Sequence, residues 1–324
     1  MRLREVLLAA GALTLAAGAQ HAAADPLGQP AWLLSVGGDV DEDGGYRVDG
    51  GLIWAPSLLT AVTLQGGLAD TSTDLEHFKA DLATAGFDHF FGPVGLNVDV
   101  RWWDQQDLYS ATTFGASLYY KRAGWRVSLR GESRSSDLDE FSFDTVIPIR
   151  GVQVPITGRG ECSLDNVAYG LTVSHTGKAW TGLISGINYD YSAADCELTG
   201  VTLPPQAGNL PPISREIFRR IATRVLRAGA VLVGSELTRE NGFLDYSLWA
   251  ALGYRAGLNT FGLDYYHDRE EFAGLQADTL IGSMSFPVSD RLDLELRLGV
   301  SDSDIEGSFA FAGLTLIAYL GNAP

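Results

Sequence analysis

Apolar and polar residues alternate along most of this chain with a period of two. From Val94 to Glu132 the pattern is plainest. Val94, Leu96, Val98, Val100 and Trp102 interleave with Gly95, Asn97, Asp99, Arg101 and Trp103. Leu108 to Lys121 alternates again. The turn Arg122-Ala123-Gly124 then leads into Trp125, Val127 and Leu129, interleaved with Arg126, Ser128 and Arg130. Such alternation places one apolar and one charged face on a β-strand. The same pattern predicts strands over Trp32–Asp39, Tyr46–Trp54, Leu58–Ala69, Leu75–Phe91 and Asn166–Ser174, and one starting at Trp180. Further strands are predicted over Gly229–Leu237, Phe243–Tyr254, Leu258–His267, Leu275–Phe286, Leu292–Val300 and Phe309–Leu320.

Connections alternate in length. Tight turns fall at 55–57, 92–93, 122–124, 176–179, 255–257 and 287–290. Longer, acidic loops fall at 40–45, 70–74, 103–107, 136–163, 238–242, 268–274 and 301–307. Two long connections stand out: 136–163, whose apolar residues partly alternate, and 193–214, which holds Pro204, Pro205, Pro211 and Pro212. The predicted strands number fifteen, and an up-and-down closed sheet needs an even count. Residues 213–227 supply a candidate. Read as a strand, they put Ile217, Ile221 and Val225 on one face and Arg220 and Arg224 on the other. Read as a helix, they are basic and amphipathic. Arg-Ala-Gly occurs at 122–124, 227–229 and 255–257. That recurrence favours a strand ending in a turn at 227–229, and so sixteen strands, with fourteen as the alternative.

The chain opens with Arg2 and Arg4, an apolar run from Val6 to Gly18, and the small residues Ala22-Ala23-Ala24. This is the anatomy of a cleavable signal peptide over residues 1–24, leaving 25–324 as one unit without a linker. No later stretch holds the 18 or more consecutive apolar residues that a spanning helix needs. The net charge of −17 and pI near 4.6 argue against a nucleic-acid partner.

These features resemble the outer-membrane β-barrels of Gram-negative bacteria, and porins in strand count. The resemblance covers about residues 30 to 320 and rests on alternation, turn asymmetry and the export signal. It implies an all-β, antiparallel, up-and-down transmembrane barrel in the bacterial outer membrane. It also implies outer-membrane lipids and lipopolysaccharide as surroundings, and barrel-assembly machinery as an insertion partner. The apolar face would meet lipid, with Trp32, Trp54, Trp102, Tyr120, Trp125, Trp180 and Tyr254 as interfacial girdles. The other face would line the lumen with Arg47, Asp49, Asp99, Arg101, Arg126, Arg130, Glu132, Arg220, Arg224, Asp245, Asp264, Asp293, Glu295 and Arg297.

The expected function is a porin-like channel for small hydrophilic solutes. The alternatives are a surface-interaction barrel acting through its long loops, or a lipid-modifying enzyme. The sequence argues against the last. His77, His89, His175 and His267 have no evident nucleophile beside them, and motifs such as GxSxG or HExxH are absent. No cofactor is expected. Asp39, Asp41 and Asp43 match the opening of a Ca²⁺ loop, but its twelfth position is Gly50, so an acidic hairpin loop is the expected reading. Cys162 and Cys196 form a lone exported pair, which is expected to be a structural disulfide joining neighbouring strands.

Overall fold

In the computed structural model, residues 31–320 are described except for 43, 58, 73–76, 106–108, 150–151, 193–194, 200–242, 273 and 305–306. The strands are β1 (Ala31–Asp41), β2 (Tyr46–Ser57), β3 (Thr60–Ser72), β4 (His77–Phe91), β5 (Val94–Gln105), β6 (Tyr109–Arg122), β7 (Trp125–Ile149) and β8 (Val152–Thr176). They continue with β9 (Trp180–Tyr191), β10 (Asp195–Thr199), β11 (Leu244–Ala256), β12 (Asn259–Glu270), β13 (Gln276–Ser289), β14 (Leu292–Ser303) and β15 (Gly307–Leu320). Each barrel strand pairs antiparallel with its neighbours. The first and last strands close the ring, from Trp32 opposite Leu320 to Asp41 opposite Phe311. Closure satisfies every ladder, the condition for a sheet to sit in lipid.

The ring has fourteen strands, not sixteen. One edge of β9 is paired with β8 and the other with β11. No room remains between β9 and β11 for the strands expected over 213–227 and 229–237, which lie outside the described residues. The short β10 is not a ring member. Among the described residues it pairs with the outer part of β8 alone. Residues 1–30, and with them the expected signal peptide, also lie outside the described residues.

The turn asymmetry expected from the sequence holds. Both termini of the ring and the tight turns share one rim. There the chain between β6 and β7 reverses through Ala123 and Gly124, with φ of 51° and 83°. Positive φ at both central positions suits a two-residue hairpin turn, whose twist matches the strands it joins. At the opposite rim β7 and β8 are 25 residues each, about twice the length of most neighbours. Their outer parts pair with each other from Phe141–Gly160 to Ile149–Val152.

The outward face is apolar and exposed: Ile184 is 71%, Leu298 69% and Leu129 63% accessible. An apolar belt this continuous is rare on a soluble monomer. Aromatic residues border it. At the tight-turn rim Trp32 stacks on Trp54 (5.5 Å), while Trp180 packs at a tilt against Tyr254 (4.4 Å) and Trp125 against His175 (4.6 Å). Trp102 and Tyr46 lie towards the other rim. From Tyr46 to Trp54 the chain rises about 27 Å along the strand, or roughly 20 Å once a tilt of about 40° is removed. That matches a lipid hydrocarbon layer in order of magnitude. On the same outward face, close to the long-connection rim, stand Asp81 and Asp104, opposite one another, and likewise Asp278 and Asp302.

Two predictions follow from this geometry. Leu298→Arg, at an exposed position, would be near neutral in a soluble protein. In a folded barrel in lipid bilayers it should cost about 2–4 kcal/mol, measured by reversible unfolding in vesicles. The second concerns the cysteines. The register sets Cys162 directly opposite Cys196, and cross-strand neighbours meet the spacing of a disulfide. Denatured, unreduced protein should therefore show no titratable thiol, and both should appear after reduction. Free thiols before reduction would refute the pairing.

Candidate lumen lining

Inward residues follow from the register. On β1 they are Leu33, Ser35 and Asp39; on β2, Arg47, Asp49 and Ile53. Each alternates with an exposed partner such as Trp32, Leu34 or Trp54. Side chains that carry charge inside a barrel need a partner or water, because the sheet around them excludes both on its outer side. Two networks meet that need.

The first joins β1, β2 and β14. Arg47 lies 3.0 Å from Asp39 and 3.4 Å from Asp49. Arg297 reaches Asp39 at 3.1 Å, although β15 runs between their strands. Gly313 makes the reach possible. It faces Asp39 on one side and Arg297 on the other, and a Cβ there would overlap the Asp39 carboxylate. Arg47 is 1% accessible and Asp39 5%, so this is a buried cluster.

The second network repeats the device on β5 and β7, across β6. Arg101 forms ion pairs with Glu132 at 2.7 Å and Asp99 at 3.0 Å. Arg130 bonds Asp99 at 2.9 Å and also Glu132. The intervening position is Gly115, opposite Asp99 and Glu132, where a Cβ would strike Arg130 and Asp99. The two networks stand on facing walls: β14 is seven strands from β6 in the ring of fourteen.

Inward side chains differ in burial, and Leu33, Ile53, Tyr119, Ser128 and Ser174 are buried near the tight-turn rim. Towards the long-connection rim, inward side chains such as Leu82, Trp103, Gln105 and Leu164 are buried. Towards the tight-turn rim, Thr63, Gln65, Thr84, Asn97, Asp264 and Ser283 are partly exposed. Near that rim Tyr119 donates to Asp88 (2.6 Å) and lies under the Arg126 guanidinium, 3.7 Å from its ring centroid. Tyr319 donates to Asp293 at 2.9 Å.

The wall of β9, β11–β13 and β15 differs. Its inward side chains include Ile187, Tyr189, Tyr191, Trp249, Tyr266, Ile281, Phe309 and Phe311, which pack in two apolar clusters. The Trp249 ring is nearly parallel to Tyr266 (6°, centroids 5.8 Å apart), and its Nε1 donates to Asp264 at 3.0 Å. For β9 this reverses the expectation. The apolar set Leu183, Ile187, Tyr189 and Tyr191 faces inward, and Trp180, Ile184 and Asp190 face out. Alternation sorts the two faces of a strand without saying which one meets lipid.

Of the residues expected to line the lumen, Arg47, Asp49, Asp99, Arg101, Arg126, Arg130, Glu132, Asp264, Asp293, Glu295 and Arg297 lie on the inward register. Asp245 does not. A bulge between Leu244 and Tyr246 turns it to the outer face, 3.6 Å from Arg269. Arg220 and Arg224 lie outside the described residues. Asp39, the centre of the first network, was not among the expected lining residues; its parity with Ser35 was the available signal. As for the Ca²⁺ expectation, Asp39 is held by two arginines, Asp41 accepts from the Gly45 amide at 2.8 Å, and Asp43 lies outside the described residues.

No protein-family model and no curated protein matches the chain by sequence. Solved structures do match by shape. The CymD monoaromatic hydrocarbon channel is 10% identical with a TM-score of 0.51, over 92% of this chain and 89% of that one. OccK3 (OpdO) of Pseudomonas aeruginosa is 12% identical with a TM-score of 0.39, over 90% and 95%. OccAB1 of Acinetobacter baumannii is 8% identical with a TM-score of 0.41, over 91% and 97%. At these identities the likeness is one of fold, and CymD alone of the three exceeds a TM-score of 0.5. The chain folds as a porin-like β-barrel.

The glycine gaps can be tested directly. Gly115→Val should destabilise the folded barrel by about 2–4 kcal/mol, since it displaces charges whose partners are buried. Gly131→Ala, whose Cβ would meet nothing within 4 Å, should cost no more than about 1 kcal/mol. Denaturant unfolding in micelles compares the two; equal losses would remove the role given to the gap.

Proposed function

We propose that this protein is a channel of the bacterial outer membrane that passes small solutes along its lumen. The observation that carries this reading is the partly exposed polar lining of the tight-turn half: Thr63, Gln65, Thr84, Asn97, Arg130, Asp264 and Ser283. Buried hydroxyls, amides and charges would close on one another if the lumen served only as a packed core. Fourteen strands also enclose more space than wall side chains alone fill; eight already suffice to be filled by them. The shared fold with CymD, whose name describes a channel, supports the same reading.

In this reading the tight turns face the periplasm and the long connections face outward, the usual asymmetry of such barrels. Outer-membrane lipids, including lipopolysaccharide, surround the apolar belt. Barrel-assembly machinery inserts the chain, and a cleaved signal peptide over residues 1–24 exports it. No enzymatic activity and no nucleic-acid partner form part of it. The network that includes the partly exposed Arg130 borders the passage, and the buried Arg47 cluster holds the facing wall. Arg47, Asp49, Glu295 and Arg297 stand on one wall, and Asp99, Arg101, Arg130 and Glu132 on the facing one.

Purified, refolded protein in planar bilayers tests the proposal. Discrete conductance steps are expected, with ion selectivity altered by Arg130→Glu. Folded barrels that insert without conducting would overturn the channel. The outer β7–β8 hairpin would then become the leading functional element.

A further inference from the structure

The two rims of the barrel carry opposite charge. The tight turns at 121–124, 176–179, 255–257 and 288–291 hold Lys121, Arg122, Lys178, Arg255 and Arg291, against the single carboxylate of Asp290. The tight turns at 55–57 and 92–93 hold no charged residue. In a chain of net charge −17, this rim runs against the overall composition. The outward face near the other rim is acidic. Asp81, Asp104 and Asp137 share one register row, joined through Ser110, and Asp278 faces Asp302 on another part of the ring.

All five rim cations are exposed, and among the described residues none of them forms an ion pair. The lumen arginines differ: Arg47, Arg101, Arg130 and Arg297 each reach a carboxylate at 2.7–3.1 Å. Exposed charge in a turn is ordinarily a solvated surface. The aromatic neighbours set this rim apart. Arg122 is the register partner of Trp125, whose ring packs on His175. Lys178 lies two residues before Trp180, and Arg255 directly follows Tyr254. Those two rings pack on each other at 4.4 Å. Outward Trp and Tyr rings at the edge of an apolar belt sit at headgroup level. The cations beside them therefore stand at the depth of lipid phosphates, where ammonium and guanidinium groups form charge-assisted hydrogen bonds.

We propose that the tight-turn rim is a binding surface for anionic phospholipid headgroups, held by Arg122, Lys178, Arg255 and Arg291. Each cation donates to phosphodiester oxygens. A headgroup of net negative charge is favoured over a zwitterionic one, which brings its own ammonium into the same field. The four cations belong to four hairpins, β6–β7, β8–β9, β11–β12 and β13–β14. They form an arc around the ring, not a pocket. An arc of separate cations suits the many headgroups of a membrane surface and offers no enclosed site to a single soluble anion. The surface rests on the channel reading only for placing this rim in the periplasmic leaflet. It deepens that reading by assigning the lipids that border the periplasmic end.

The test uses the mature barrel refolded into bilayers of phosphatidylcholine mixed with phosphatidylglycerol. Quenching of its tryptophans by brominated forms of each lipid, in turn, gives their relative association with the protein. Phosphatidylglycerol should be preferred by at least about threefold at low salt, and the preference should fade at about 1 M NaCl. The combined variant Arg122→Ser, Lys178→Ser, Arg255→Ser and Arg291→Ser should lose it, with folding checked by heat-modifiable gel migration. Should that variant not fold, Arg122→Ser and Lys178→Ser singly should each lower it. Lys79→Ser with Arg269→Ser, which removes two cations near the other rim, should leave it unchanged. Equal association of the two lipids, or a preference that survives the four changes, overturns the surface. So does saturable binding of glycerol 3-phosphate to the barrel in detergent, which would give the cations to a soluble anion. Conductance is read separately. A barrel that prefers phosphatidylglycerol but does not conduct refutes the channel and keeps the surface. A barrel that conducts without lipid preference does the reverse.

Discussion

Everything in this molecule depends on the closure of β1 against β15. A strand edge in lipid leaves amide and carbonyl groups with no partner, at several kcal/mol for each. The ladder from Trp32–Leu320 to Asp41–Phe311 removes both edges at once. Closure then sorts side chains by parity alone. Odd residues of β1 and β2 go inward and even ones outward, so one inserted residue would move a whole strand's apolar set to the wrong face. The bulge at Asp245 shows that tolerance. It shifts one carboxylate outward at the rim, where Arg269 receives it, and the alternation resumes at Tyr246.

Closure also creates the interior problem that the glycines solve. Adjacent strands lie about 4.8 Å apart, so charges on alternate strands are separated by a full strand and its side chains. Same-strand pairing alone would leave Arg297 beside Glu295 at 3.9 Å. Gly313 and Gly115 remove the intervening side chain and allow second-neighbour ion pairs at 2.7–3.1 Å. Arg47, Arg101 and Arg130 then each hold two carboxylates. A buried pair gains little over a hydrophobic substitute, yet breaking one leaves an uncompensated charge that costs about 3–5 kcal/mol. The networks thus contribute less to net stability than to fixing where the charges point.

Much of this was legible in the sequence, and the unread part has a physical reason. Strands, tight turns, the apolar belt and most inward charges follow from period two and from where glycine, proline and asparagine-like turn residues fall. The strand count did not. Residues 213–237 carry alternation like that of the ring strands, and Arg-Ala-Gly at 227–229 repeats the tripeptide found at the turns 122–124 and 255–257. Local pattern cannot reveal that β9 already has both edges occupied, because that is a property of pairing. The lumen wall of β9 was misassigned for a related reason. Leu183, Ile187 and Tyr189 are as apolar as any lipid-facing set, and only the register with β8 and β11 turns them inward.

The same limit explains why the candidate site was half visible. Asp99, Arg101, Arg130 and Glu132 lie on sequence neighbours and declare themselves as one charged face. Glu295 was visible as an inward charge, but its missing donor was not. That depends on Arg297 turning to Asp39, a residue more than 250 positions earlier in the chain. Ring closure brings the first and penultimate strands within reach of one arginine, which lies 3.1 Å from Asp39 and 3.9 Å from Glu295. A local feature of the lumen is therefore a consequence of the longest-range contact in the fold.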